Sequence, residues 1–265
     1  MILTVDIGNT TISLCGLEEM QAYDYSVSFF IKTDTVRSKS AEEYLNEIKY
    51  LFAQREISPD VFDGAVLSSV VPGLTEPLKT CVHMLTGREP AVVTSRYITG
   101  MNINVQEPEK VGVDRLADAV WAASHYPLPV VTVDMGTATT FNVIDEGNEF
   151  LGGVIAPGLD TGLHALSERA AQLYEIELMT PDHVIGKNTV ECMLSGAVAG
   201  AAAMIDGITA RIEGELGKEA SLVITGELAR YVEPLCTHPH SYDPELLPKG
   251  LALLYKRNIK TGASE

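Results

Sequence analysis

The chain has 265 residues, 46% hydrophobic and 21% charged, with a formal net charge of −17. That length and apolar share support one or two ordinary cores and exclude wholesale disorder. The acidic balance, with no Lys/Arg run longer than two, excludes a basic face for nucleic acid.

The N-terminal stretch MILTVDIG carries no charged leader and reads as a strand from the start. After Asp6-Ile7-Gly8-Asn9-Thr10-Thr11 the apolar run resumes as Ile12-Ser13-Leu14-Cys15, the pattern of a hairpin with a glycine-containing turn. Residues 40–52 place Tyr44, Leu45, Ile48 and Leu51 at helical spacing. Residues 65–71 read as a buried strand stopped by Pro72-Gly73, and residues 91–93 as another. Residues 116–124 read as a helix, and the Pro127-Leu128-Pro129 step leads into the next strand. Residues 189–216 read as one long helix rich in small residues. A strand at 221–225 and a closing helix at 244–256 complete an alternating α/β order.

The segment Thr132-Val133-Asp134-Met135-Gly136-Thr137-Ala138-Thr139 repeats the first hairpin. Asp6 matches Asp134, Gly8 matches Gly136 and Thr11 matches Thr139, each 128 residues apart and so close to half the chain. The repeat predicts two similar domains facing each other across a cleft, with one phosphate loop from each. The cut is placed at 117/118, giving domains 1–117 and 118–265. Glycine leaves turn N–H groups open to a phosphate, and an aspartate at the strand end can hold a cation against it.

Gly112-Val113-Asp114-Arg115 precedes the mid-chain helix. Asp114 reads either as that helix's N-cap or as a carboxylate base beside a cationic clamp. Gly152 to Gly158 reads as a second glycine-rich turn, either a tight crossing or a ligand contact. Thr225-Gly226, after an apolar strand, is a place for adenine or ribose. Gly186-Lys187-Asn188-Thr189 lacks the first glycine of a P-loop, and there is no Rossmann GxGxxG, HExxH or GxSxG. His238-Pro239-His240 reads as a surface loop rather than a metal site. Cys15, Cys81, Cys192 and Cys236 form no CxxC and fit no zinc spacing, so they read as buried thiols of a reducing compartment. Residues 196–212 contain Asp206 and Arg211 and are not expected to span a membrane.

In their joint order these segments resemble the type III pantothenate kinases of bacteria, in the actin–Hsp70–sugar-kinase superfamily, over nearly the whole chain. The likeness rests on Asp6-Ile7-Gly8-Asn9-Thr10 through Gly16, on Gly112-Val113-Asp114-Arg115 and on Asp134-Met135-Gly136-Thr137-Ala138. It extends through Gly152 to Gly158, residues 185–189, Ser195-Gly196, Asp243-Pro244-Glu245-Leu246 and Gly250-Leu251. The resemblance implies an α/β fold of two duplicated ribonuclease H-like domains around a central cleft. It implies phosphoryl transfer from ATP to the primary hydroxyl of pantothenate, the first step toward coenzyme A.

By that likeness Asp114 is the general base. Asp6, Ile7, Gly8, Asn9, Thr10, Thr11, Ile12, Ser13 and Thr137 bind ATP. Gly112, Val113, Asp114, Arg115 and Thr189 bind pantothenate. Asp134 holds a monovalent cation, potassium or ammonium, and Asp6 meets magnesium. A cytoplasmic homodimer is expected, with substrate sites completed at the dimer interface and no nucleic acid or membrane partner. Three positions depart from the family pattern: Asn142 replaces an acidic residue, Glu227 replaces a glycine, and Val105 stands where some members have an aromatic residue. Another small-molecule kinase or phosphatase of the superfamily is the alternative. A non-catalytic nucleotide-dependent regulator would lack a base, and Asp114 argues against it.

Overall fold

The computed structural model describes residues 1–97, 99–170 and 172–259. The first strands are β1 (Ile2–Ile7), β2 (Thr11–Gln21), β3 (Asp24–Asp34), β4 (Gly64–Ser69), β5 (Ala91–Val92) and β6 (Asn102–Ile103). The later ones are β7 (Val130–Met135), β8 (Ala138–Ile144), β9 (Glu149–Pro157), β10 (Ser221–Thr225) and β11 (His240–Tyr242). The helices are α1 (Ala41–Ala53), α2 (Pro72–Thr86), α3 (Val113–His125) and α4 (Leu159–Arg169). They continue with α5 (Thr189–Leu194), α6 (Gly200–Leu216), α7 (Ala229–Val232) and α8 (Leu246–Ile259).

The chain forms two compact units. The first holds residues 1–101, 106–121 and 245 onward; the second holds 102–105 and 122–244. A cut at 117/118 would fall inside α3, and α8 counts with the first unit.

In the first unit the sheet order is β3-β2-β1-β4-β5. β1 is antiparallel to β2 and parallel to β4. Its alternation sends Leu3, Val5 and Ile7 into a core with Tyr44, Ile48 and Phe52 of α1 and Leu74, Leu78 and Val82 of α2. Thr4 and Asp6 fall on the opposite face. Helix α1 starts where a capping box fixes it: Ser40 accepts from the Glu43 N–H, and Glu43 accepts from the Ser40 N–H. Pro72 does not only stop β4, as the sequence reading had it. It is the first residue of α2, where a missing N–H costs nothing.

The second unit has the sheet order β11-β10-β7-β8-β9-β6. Without the short β6, that is the first unit's order and the same pattern of parallel and antiparallel neighbours. The duplication expected from the repeat is therefore a duplicated topology, the ribonuclease H-like one. Residues expected as a glycine turn, 152–158, are mostly strand β9. Its register against β8 shifts at Leu151, which bulges just before Gly152 and Gly153.

Residues 189–216 form one continuous rod in which Ser195–Ala199 is π-helical between α5 and α6. By length and composition alone this rod would pass as a membrane span. Its apolar face is used instead: Val198, Ala201, Ala202 and Ile205 pack on Val131, Val133 and Ile224 of the sheet.

Two expectations about side chains are corrected. Cys15 and Cys81 are buried, but Cys192 is exposed on α5 and Cys236 half-buried. Burial pushes the Cys15, Cys81 and Cys236 thiols up to about 12. His238 and His240 do not form a free surface loop. His238 Nε2 meets Glu213 Oε2 at 3.1 Å, and His240 Nε2 meets Glu233 Oε1 at 3.1 Å. Asp206 of α6 accepts from the Thr237 and His238 N–H groups, tying this segment to the helix.

Desolvation pulls the His238 pKa down, but the Glu213 hydrogen bond and the Glu213 and Asp206 charges outweigh it, and the net shift is upward. A raised folded value means stabilisation that is complete below the unfolded value and is lost as pH rises through the folded one. His238→Asn should therefore destabilise the protein most below about pH 6.5, the ordinary histidine value. Thermal melts along a pH series read this; a deficit that grows with rising pH would contradict it.

Candidate active site

Both repeated aspartates stand one residue before the end of a central strand. Across the ladder, Asp6 pairs with Ser13 of β2 and Ser68 of β4. Asp134 pairs with Thr140 of β8 and Thr225 of β10. Directly opposed residues share a sheet face, so each half-buried carboxylate is flanked by two hydroxyl side chains. The buried hydroxyls of Ser68 and Thr140 have no hydrogen-bond partner among the described residues.

The two turns differ in length. Ile7 pairs with Ile12, and the Gly8 N–H donates to Thr11 O at 3.0 Å. Met135 pairs with Thr139, and the Gly136 N–H donates to Ala138 O at 3.0 Å. The second turn is one residue shorter. Thr11, which the sequence aligns with Thr139, is the half-buried first residue of β2, while Thr139, the second residue of β8, is fully buried. In the first loop Asn9 and Thr10 are exposed, whereas Ile7 and Ile12 are completely buried and can offer a ligand only backbone. Ser13 is half-buried beside Asp6.

In the second loop Thr137 is exposed, and its carbonyl accepts from the Gly158 N–H at 3.1 Å and from Thr161 Oγ1 at 2.8 Å. A Cβ at Gly158 would stand 2.3 Å from Gly136 O, so only glycine lets α4 begin against this loop. Gly226 touches the same place from β10. It has φ +94°, and a Cβ there would stand 2.5 Å from Asp134 Oδ1.

Asp114 is not an N-cap. It lies inside the first turn of α3, after Gly112, whose carbonyl accepts the Leu116 N–H. Its Oδ1 accepts the Arg115 N–H at 2.9 Å, leaving carboxylate lone pairs for a further proton. Burial lowers the Arg115 pKa against the opposing pull of the Asp114 and Asp118 carboxylates.

Thr189 is exposed as the first residue of α5. Asn188 caps that helix by accepting the Glu191 N–H at 2.9 Å, and Glu191 accepts from the Lys187 N–H and from Asn188 Nδ2. The lysine-containing GKNT segment is thus a helix start and not a phosphate loop. Thr189, Thr139, Gly158, Leu163, Cys192 and Met193 are among the residues lining one largely apolar cavity of about 540 Å³ in the second unit.

A profile of the type III pantothenate kinase family matches residues 2–211. The type III pantothenate kinase of Exiguobacterium sp. strain AT1b is 40% identical over 260 residues, covering 98% of this chain and 100% of that one. The chain belongs to the type III pantothenate kinase family.

Among solved structures, a candidate Baf family transcriptional activator from Campylobacter jejuni superposes with TM-score 0.61 at 18% identity, covering 97% of this chain and 99% of that one. A candidate 2-dehydro-3-deoxygalactonokinase from Sinorhizobium meliloti gives 0.55 at 11%, covering 97% and 96%. At those identities the likeness is one of fold alone.

For a family kinase the question is whether the residues fit a cation. Among the described residues no group of three or more His, Cys, Asp or Glu could hold one. The sets at Asp6 and Asp134 consist of one carboxylate and hydroxyl oxygens, hard donors that suit magnesium or potassium when water or phosphate completes the shell. These sets are compatible with a hard cation but do not enclose one by themselves.

The three departing positions can be placed. Asn142 is fully buried, and its Nδ2 donates to Thr132 Oγ1 at 3.0 Å across the β7–β8 ladder. Asn142 is thus a neutral side chain whose amide has a partner in the sheet. Glu227 is exposed, and Val105 lies 3.5 Å from where a Gly152 Cβ would stand. Sequence reasoning missed Thr161 and the flanking Ser68 and Thr140, and it named Thr225 only for adenine or ribose, not as a neighbour of Asp134. Single Ser/Thr residues carry no spacing signal, and only sheet register brings them beside the aspartates.

Gly226→Ala should force both a strained φ and a displaced Asp134, with a stability loss of about 1–3 kcal/mol. Denaturant melts and kcat measured together test this; a variant retaining wild-type values of both would show that the approach to Asp134 is dispensable.

Proposed function

We propose that this chain transfers the γ-phosphoryl group of ATP to the primary hydroxyl of pantothenate, giving 4′-phosphopantothenate and ADP at the first step of coenzyme A biosynthesis. The observation that carries the reading is the near full-length family likeness; Gly112-Val113-Asp114-Arg115 stands at the start of α3.

In this reading loop 6–13 and Thr137 receive the ATP phosphates. Gly112, Val113, Arg115 and Thr189 orient pantothenate. Asp114 accepts the hydroxyl proton as the oxygen attacks phosphorus; the new O–P bond forms while the bond to the leaving ADP oxygen breaks. Asp6 would hold magnesium and Asp134 a monovalent cation. When bound, these ions neutralise phosphate charge, which matters in a chain of net charge −17. Arg115, held near Asp114 and Asp118, suits the substrate's carboxylate. A homodimer working in the cytoplasm completes the proposal.

The direct assay is ADP release with pantothenate, magnesium and potassium; no turnover would overturn the reading. Asp114→Asn should lower kcat by roughly 10²- to 10⁴-fold, the usual share of a general base. Near wild-type kcat in that variant would remove Asp114 from the role. Exchanging potassium for sodium should lower the rate, and an unchanged rate would argue against a selective monovalent site at Asp134.

A further inference from the structure

The first phosphate loop is braced from a neighbouring segment that the family motifs do not include. Just past β3, Thr35 Oγ1 donates to Gly8 O at 2.7 Å, and the Thr35 N–H donates to Thr10 O at 2.9 Å. The next residue is fixed as well. The Val36 N–H donates to the Tyr44 hydroxyl at 2.9 Å, and that hydroxyl donates back to Val36 O at 2.9 Å. Tyr44 is fully buried in α1. The Lys39 N–H then donates to Val36 O at 3.1 Å. Residues 35–39 are therefore a held segment, and Arg37 projects from its middle.

The Arg37 side chain is exposed, and its Nη2 donates to Asn9 Oδ1 at 3.2 Å. It makes no ion pair with a carboxylate among the described residues. Lys39, two residues on, differs: its ammonium is tied to Glu47 at 2.5 Å. A guanidinium held at the lip of an anion-binding turn, with only one of its donors engaged by a neutral amide, retains a fork that matches phosphate oxygens. Electrostatics favours the same use, because the charged side chain nearest the turn on the central strand is the anionic Asp6, one residue before its end.

We propose that Arg37 is a polyphosphate-binding residue, reaching over the Gly8–Thr10 turn to phosphate oxygens of bound ATP. The inference rests on the reading above that this turn receives the nucleotide. Asn9 then does two things: it lines the loop and aims the guanidinium.

The test uses the full-length enzyme and four proteins: wild type, Arg37→Ala, Arg37→Lys and Arg37→Gln. Two readouts are taken, steady-state kinetics with ATP and pantothenate, and equilibrium binding of ADP. Arg37→Ala should raise KM for ATP and Kd for ADP roughly tenfold, as for loss of one charge-assisted contact. KM for pantothenate should stay near wild type. The increase of KM for ATP with added salt should be shallower in Arg37→Ala than in wild type. Arg37→Lys should recover much of the loss, and the uncharged Arg37→Gln should behave as Arg37→Ala does. The inference is overturned by wild-type nucleotide affinity in Arg37→Ala, or by full recovery in Arg37→Gln, which would reduce the residue to a brace for Asn9. Failure of the broader reading looks different. Wild type that binds ADP without phosphorylating pantothenate refutes the substrate and leaves Arg37 judged by ADP binding; wild type that binds no ADP refutes both.

Discussion

The structure depends on a register constraint in two central strands. In β1 and β7 the apolar residues alternate with Thr4 and Asp6, and with Thr132 and Asp134. Side chains alternate with period two, so the register that buries Leu3, Val5 and Ile7 also puts Asp6 on the other face. A slip of one residue would drive a carboxylate into an apolar core, at a cost of several kcal/mol or a neutralised acid. Hydrophobic packing thus sets the position of the charges. The neighbouring strands are locked to the same register, and each brings a hydroxyl beside the carboxylate.

Much of this was legible in the sequence, because the signals were local. The long rod at 189–216 and the strand at 221–225 follow from hydrophobic periodicity. The two hairpins follow from apolar runs broken at Asp and Gly. Less visible was anything decided by pairing at a distance. β2 and β3 each run 11 residues, and no local pattern marks where they end. Helix α2 was hidden because Pro72 reads as a stop and Pro77 lies inside it. The alignment of Thr11 with Thr139 is sound as sequence, yet one turn is a residue shorter and sends the two hydroxyls to different places. At the candidate site the motif residues were readable. Their supporting partners were not, since Thr35, Arg37 and Thr161 reach the loops only through the fold, as does the approach of Gly226 to Asp134.

Charge is managed locally rather than by overall balance. The histidines that looked like surface residues are half-buried and paired with glutamates, and Lys39 is paired with Glu47. Cations so engaged are held by their partners and do not serve a phosphate. Arg115 keeps its place near Asp114 and Asp118 in spite of a desolvation penalty. A chain with 36 acidic and 19 basic residues can present an anion site only if a few cations and backbone amides are reserved for it.

Helix α8 belongs to the first unit, and Gly250 lies so close to α3 that a Cβ there would stand 2.1 Å from Ala117 O. Residues 246–259 follow the second unit in the sequence. The first unit is therefore completed only after the second has been made. During synthesis the intervening unit has all its residues while its predecessor still lacks the helix that packs on β1 and β4. Until then Ala117 and its neighbours on α3 are uncovered, and the nascent chain carries an unfinished apolar face through the whole synthesis of residues 122–244.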